Sequence, residues 1–197
     1  MKKLKNRIVL IAACFLAPGY GLFSQSTWNI IKPSSLTVVA TSNVSSITCV
    51  NPAFTQKEPL IFTPDGSRTK IEGKIIMPVK DLGCGNFFYN TNMRKTLKAD
   101  KHPNLQIRYF HTNEKLNLAS PLDKQQLVKV EITLAGVTNI YDIPIRFQRN
   151  NAQLILSGAS LFRLSDFKME PTFMGKVVEV ADEFVVKFNL ILEENLR

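Results

Sequence analysis

The chain has 197 residues, 45% of them hydrophobic, with 25 Lys and Arg against 16 Asp and Glu for a formal net charge of +9. That length and apolar content support one buried core and exclude a disordered polymer. The cations form no stripe and no block of like charge, which argues against a nucleic-acid-binding surface. Arg94, Lys95, Lys98 and Lys101 come nearest, and they read as the solvated face of a short helix. Weak attraction to an anionic membrane surface, a peripheral contact, stays open.

Residues 1–25 have the texture of a secretory signal peptide. Lys2, Lys3, Lys5 and Arg7 precede an apolar run over 8–16, and small and turn-forming residues follow. The run is too short to span a bilayer, which takes ~20 apolar residues. A second reading uses Ile11-Ala12-Ala13-Cys14, similar to the lipobox of bacterial lipoproteins, with Cys14 as a lipid-anchored first residue. Either way the protein is expected in the periplasm or secreted. Without its four leader cations the domain at 26–197 carries 21 positive against 16 negative charges, a net +5.

Residues 28–31 and 36–41 form a first strand region, broken at Pro33, and 44–50 a second strand. Three prolines and Asp65-Gly66 make 51–68 a loop around a short edge strand near 60–63. At 70–79, Ile71, Ile75, Met77 and Val79 alternate with Lys70, Glu72 and Lys74 in one strand. Cys84 stands between two glycines, and a short helix is expected at 92–99.

Strands follow at 105–112, 127–134, 140–149 and 153–160, with a polar loop at 113–124, a turn at Gly136 and a hairpin at Asn150-Asn151. Residues 161–175 read as irregular. The last strand sets Phe184, Val186, Phe188, Leu190 and Leu192 on one face. About eight short strands, most with one apolar face, predict an all-β antiparallel barrel with one inserted helix. Closure of such a barrel removes its sheet edges, and eight strands leave an interior wide enough for one small elongated ligand.

With Cys14 in the leader, Cys49 and Cys84 remain as an even pair in an oxidising compartment, so a disulfide is expected. A metal site would want more ligands, and neither His102 nor His111 sits at ligand spacing from a cysteine. No cofactor is called for. No catalytic constellation emerges either: there is no G-x-S-x-G elbow, and Asp81, Asp100, Asp142 and Asp166 form no convincing pair.

Four stretches carry a resemblance to a known family. They are the opening Trp28-Asn29-Ile30-Ile31 with its following serines, and Met93-Arg94-Lys95-Thr96-Leu97 with His102-Pro103. The third is Ile132-Thr133-Leu134-Ala135-Gly136-Val137-Thr138, and the last is Leu164-Ser165-Asp166-Phe167. Together, over 28–192, they resemble the YceI family of exported polyisoprenoid-binding proteins. The chain departs from that pattern at Ile31, where Asp is usual, at Lys168, where Gly is usual, and in lacking a histidine after the opening. The cysteine pair looks like a subgroup feature.

The resemblance implies a lipocalin-like barrel that carries an apolar lipid, a polyisoprenoid or isoprenoid quinone, without catalysis. The expected lumen residues are Ile75, Met77, Ile107, Tyr109, Val130, Ile132, Ile143, Ile145, Phe184, Val186 and Phe188. Phe87, Phe88 and Phe167 are expected at the mouth. The competing expectation is a structural or interaction barrel whose interior is simply filled. The oligomeric state is left open, a dimer included.

Overall fold

The computed structural model describes residues 25–150, 152–170 and 178–195. The leader, and with it Cys14, lies outside the described residues, as does Phe173 in the stretch expected to be irregular. The described chain has ten strands and one α-helix: β1 (Ser26–Ser42), β2 (Ser46–Phe54), β3 (Leu60–Asp65), β4 (Arg68–Glu72), β5 (Lys74–Pro78), α1 (Phe87–Thr96), β6 (Asn104–Thr112), β7 (Leu122–Leu134), β8 (Val137–Asn150), β9 (Gln153–Arg163) and β10 (Val180–Glu194).

The strands close into an antiparallel eight-stave barrel. Its order runs β10-β9-β8-β7-β6, then β4 with β5, then β3 and β1, and β1 pairs back onto β10. β4 and β5 share one stave because β6 pairs with β5 at its start and with β4 at its end. The sequence reads that stave as a single strand over 70–79. The break falls at Gly73, whose φ of +116° suits only glycine, and where a Cβ would lie 2.8 Å from the Pro59 carbonyl oxygen.

β1 runs through the expected break at Pro33. Its register against β10 slips between Ile31 and Ser35. The buried Ser34 repairs the slip: its Oγ donates to the Ile31 carbonyl at 2.6 Å and accepts from the Ile191 N–H at 2.8 Å. β3 corrects a second expectation, since it pairs with both β1 and β4 and is not an edge. β2 is the exposed flank. It lies beside β1 beyond the point where β3 leaves, and its outer side carries reciprocal Val50–Gly83 backbone bonds of 2.8 and 2.9 Å. The Cys49–Cys84 disulfide forms beside that bridge.

Alternation sets the two faces of the wall. Inward residues such as Val128, Val130, Ile143, Ile145, Leu154 and Leu156 are at most 7% exposed. The outer face carries cross-strand ion pairs, Arg108–Glu131, Lys129–Asp142, Arg146–Asp123 and Arg163–Glu183. Such exposed pairs add little stability each. They do make the outer wall polar, the reverse of a barrel whose exterior faces lipid.

Candidate functional site

The interior is packed unevenly from end to end. Toward the end where β1 begins and β10 finishes, Trp28, Leu60, Phe62, Phe147 and Leu154 are at most 1% exposed and form a solid floor. Trp28 and Phe62 meet edge to face at 6.5 Å there. Outside the floor lies an open cleft of about 700 Å³ lined by mixed residues including Lys115, Asn117, Arg149 and Glu194. It shares no lining residue with the apolar cavities described next.

Two apolar cavities occupy the rest of the axis. The first, about 70 Å³, lies inside the barrel. Ile75, Met77, Ile107, Tyr109, Val130, Ile132, Ile143, Ile145, Phe167, Phe184, Val186 and Phe188 all line it. The sequence reading missed Leu36, Phe54, Leu105, Ser160, Phe162 and Leu190, which line it as well. Strand alternation marks Leu190, on the same face as Phe188. Phe162 falls in the stretch read as irregular, whereas β9 in fact continues to Arg163 opposite Glu183.

The second cavity, about 100 Å³, lies between the barrel rim and α1. Val38, Ala40, Ile47, Leu164 and Val180 form its lower wall, and Tyr89, Met93, Thr96 and Leu97 form its roof. Phe184 lines both cavities and stands between them. Its ring lies 5.8 Å from that of Phe162, which meets Tyr141 at 5.0 Å, and Tyr141 in turn meets Phe167 at 6.1 Å.

The helix that roofs the cavity begins earlier than the sequence suggests, at Phe87 instead of residue 92. Asn86 caps it, its Oδ1 accepting the Tyr89 N–H at 2.9 Å. Asn90 ties it to the disulfide, accepting the Cys84 N–H at 2.7 Å. Tyr89, Met93 and Leu97 recur every four residues and so share the inward face. Phe87 and Phe88, expected at the mouth, lie on this helix over the barrel rim. They occupy the first turn, 85% and 52% exposed, and contribute to neither cavity.

The lumen carries no charge. Burial raises the Tyr109 phenol above its ordinary pKa, so it remains protonated. Tyr141 is pushed up to about 12, chiefly by burial and then by the charge of Asp166, to which its hydroxyl donates at 3.3 Å. The loop that delivers Phe167 to the lumen is held by Asp182, which accepts the Ser165 N–H at 2.8 Å and the Ser165 hydroxyl at 2.6 Å. Among the described residues no cluster of three metal-ligating side chains forms, and no helix is long and apolar enough to cross a membrane. The arrangement can enclose and desolvate an apolar chain.

The YceI-like domain model matches residues 28–192. Among solved structures, BcnA of Burkholderia cenocepacia superposes with a TM-score of 0.62 at 17% identity, covering 80% of this chain and 95% of its own. A polyisoprenoid-binding domain from Saccharophagus degradans, implicated in plant cell wall breakdown, gives 0.60 at 14% identity, covering 85% and 98%. At those identities the likeness establishes the fold. A search of the curated proteins finds no match.

Proposed function

This chain belongs to the YceI-like family, and from that premise we propose that it is an exported carrier holding one amphiphilic isoprenoid lipid or quinone in its barrel. The observation that carries the reading is the pair of uncharged apolar cavities in line, divided by one side chain, Phe184. An apolar chain laid along them gains ~0.8 kcal/mol per buried CH₂. The Saccharophagus domain is described as polyisoprenoid-binding, which supports the same ligand class.

The cavities are narrow, so the chain would lie in single file and side chains would turn aside. Met77 and Met93, unbranched and adaptable, face one cavity each. Entry is proposed from the α1 end, because the opposite end is floored. The exposed Phe87 and Phe88 lie on that helix, near Lys80, Arg94, Lys95, Lys98 and Lys101 against only Asp81 and Asp100. That surface suits transient contact with an anionic bilayer from which a lipid could be drawn. Export rests on the leader at 1–25, with anchoring through Cys14 as its variant.

The small cavity volumes favour a second reading, a structural or interaction barrel with a filled interior. Native mass spectrometry of the protein purified from its own membrane fraction, with organic extraction, separates the two. The carrier reading expects one isoprenoid per chain. A ligand-free protein that also refuses added polyprenyl lipids and quinones overturns it in favour of the filled barrel.

A further inference from the structure

The lining of the inner cavity carries two hydroxyl groups, those of Tyr109 and Ser160; its other side chains are aliphatic, aromatic or the thioether of Met77. Tyr109 is 5% exposed, and among the described residues no protein group hydrogen-bonds its hydroxyl. Most buried polar side chains here are partnered. Thr69 accepts from Leu116, Thr112 from Thr69, Asn51 from Ala53, and Ser34 from Ile191. Among the described residues the fully buried side-chain atoms left without a partner are Thr63 Oγ1 and Gln126 Nε2, and neither residue lines an apolar cavity; the Tyr109 hydroxyl is not one of them and keeps some accessible surface. A buried hydroxyl with no partner is unfavourable, and phenylalanine would fill the same space without that cost. The oxygen thus makes no bond within the protein, and its residue lines the space a ligand would occupy.

Tyr109 also has a definite depth. It pairs with Val130 on β7, and Ile107 pairs with Ile132 two residues nearer the α1 end. From Val130 to the β7–β8 turn at Ala135 the strand runs ~17 Å at ~3.4 Å per residue, which is ~13 Å along the axis of a barrel whose strands tilt ~40°. The phenol therefore lies well inside the barrel, far from the rim.

Building on the carrier reading, we infer that Tyr109 is the hydrogen-bond donor of the lumen. It selects a chain that bears an accepting oxygen, a carbonyl or hydroxyl, and seats that oxygen inside the barrel instead of at its mouth. Burial holds the phenol protonated, as a donor must be. A pure hydrocarbon chain would leave the hydroxyl buried and unpaired and would bind more weakly.

The test uses two probes of equal chain length, a polyprenyl ketone and the matched polyprenyl hydrocarbon, titrated into delipidated full-length protein and its Tyr109→Phe variant. One neutral hydrogen bond predicts a preference for the ketone of about tenfold in the unaltered protein. Tyr109→Phe should abolish the preference while leaving hydrocarbon affinity within about twofold. The infrared carbonyl stretch of the bound ketone should be lowered by the unaltered protein and restored by the variant. Ser160→Ala should keep both signatures.

Equal affinity for the two probes, a preference that survives in Tyr109→Phe, or a preference lost only in Ser160→Ala would each overturn the inference. If neither probe binds, the carrier reading itself fails, which is a different result. The Phe variant retains the ring and its packing, so loss of folding does not confuse the comparison.

Discussion

Reducing the Cys49–Cys84 disulfide isolates one term of the stability. The two residues are 35 apart in sequence, and both are buried, at 6% and 4% exposure. In the folded state the two segments are also joined by the Val50–Gly83 backbone bonds and by packing of Ile47, Tyr89 and Met93 around the sulfurs. Those contacts survive reduction, so the folded structure should persist with two thiols in the same place. The effect lies in the unfolded chain, which recovers the freedom of an open loop. For a loop of this length the chain-entropy model gives about 4 kcal/mol at 25 °C. In a domain of this size 1 kcal/mol moves Tm by roughly 2–4 °C, so reduction should lower it by roughly 8–16 °C.

The assay is urea unfolding with and without a phosphine reductant, monitored by far-ultraviolet circular dichroism and by the fluorescence of Trp28. Comparing two redox states of one chain avoids the cavities that Cys→Ala would leave. The reduced form should also give a larger m-value, because its denatured ensemble expands. A stability difference below about 1 kcal/mol would refute the reasoning, and so would loss of native circular dichroism on reduction before any denaturant is added. The first would mean the denatured chain is already compact there. The second would mean the disulfide holds the fold itself.

Phe184→Ala should join the two cavities at a stability loss of about 3–4 kcal/mol, the low end for a buried phenylalanine since its ring already borders empty space; equilibrium denaturation measures this, and bound lipid should dissociate faster. Gly158→Ala should cost about 1–3 kcal/mol, because its Cβ would sit 2.8 Å from the Pro144 carbonyl oxygen and 2.7 Å from the Phe188 ring. A thermally unchanged variant would mean that the β8–β9 wall yields there. Asp182 has its pKa lowered, first by the side-chain bond from Ser165 and then by the backbone one. Its contribution to the 164–167 loop is therefore complete above the ordinary value of 3.8 and disappears as pH falls through the lower folded value. Hydrogen exchange at Ser165 and Phe167 should show the loop loosening in that acid window, and Asp182→Asn should loosen it already at neutral pH.

The features legible in the sequence are those that repeat at short range. Period-two alternation identifies the inward faces of β5 to β8 and β10, and the eleven residues it singled out there line one cavity. Local exceptions are harder to see. Gly73 divides a stretch whose alternation runs straight through it, because a positive φ leaves no trace in a hydrophobic pattern. Phe87 and Phe88 look like loop residues because Gly85 precedes them, yet the Asn86 cap starts a helix there, and its pitch turns Tyr89 and Met93 toward the cavity while the two rings stay exposed. The second cavity is less legible still. Its walls come from β1, β2, the segment after β9, β10 and α1, and no local period links Val38, Leu164 and Val180.

An apolar inward face cannot by itself separate a core from a container, since both want the same residues at the same period. The two differ in how volume is distributed along the barrel axis. Here large rings and Leu60 fill one end, with Arg149 stacked 5.1 Å over Trp28 outside them, and the empty space lies toward the other. Among the described residues, that other end is covered by a ten-residue helix with no buried residue of its own. Packing alone does not hold such a roof. It is fastened from its start: Asn86 caps it, Asn90 bonds the backbone of Cys84, and Cys84 is bonded covalently to the wall. Its far end is held by Leu97 packed against the core and by contacts such as Lys98 on the Lys168 carbonyl at 3.1 Å. On the carrier reading, the fastened start of α1 and the apolar wall below it would keep a chain in place, and exchange would require α1 to shift from the rim it covers.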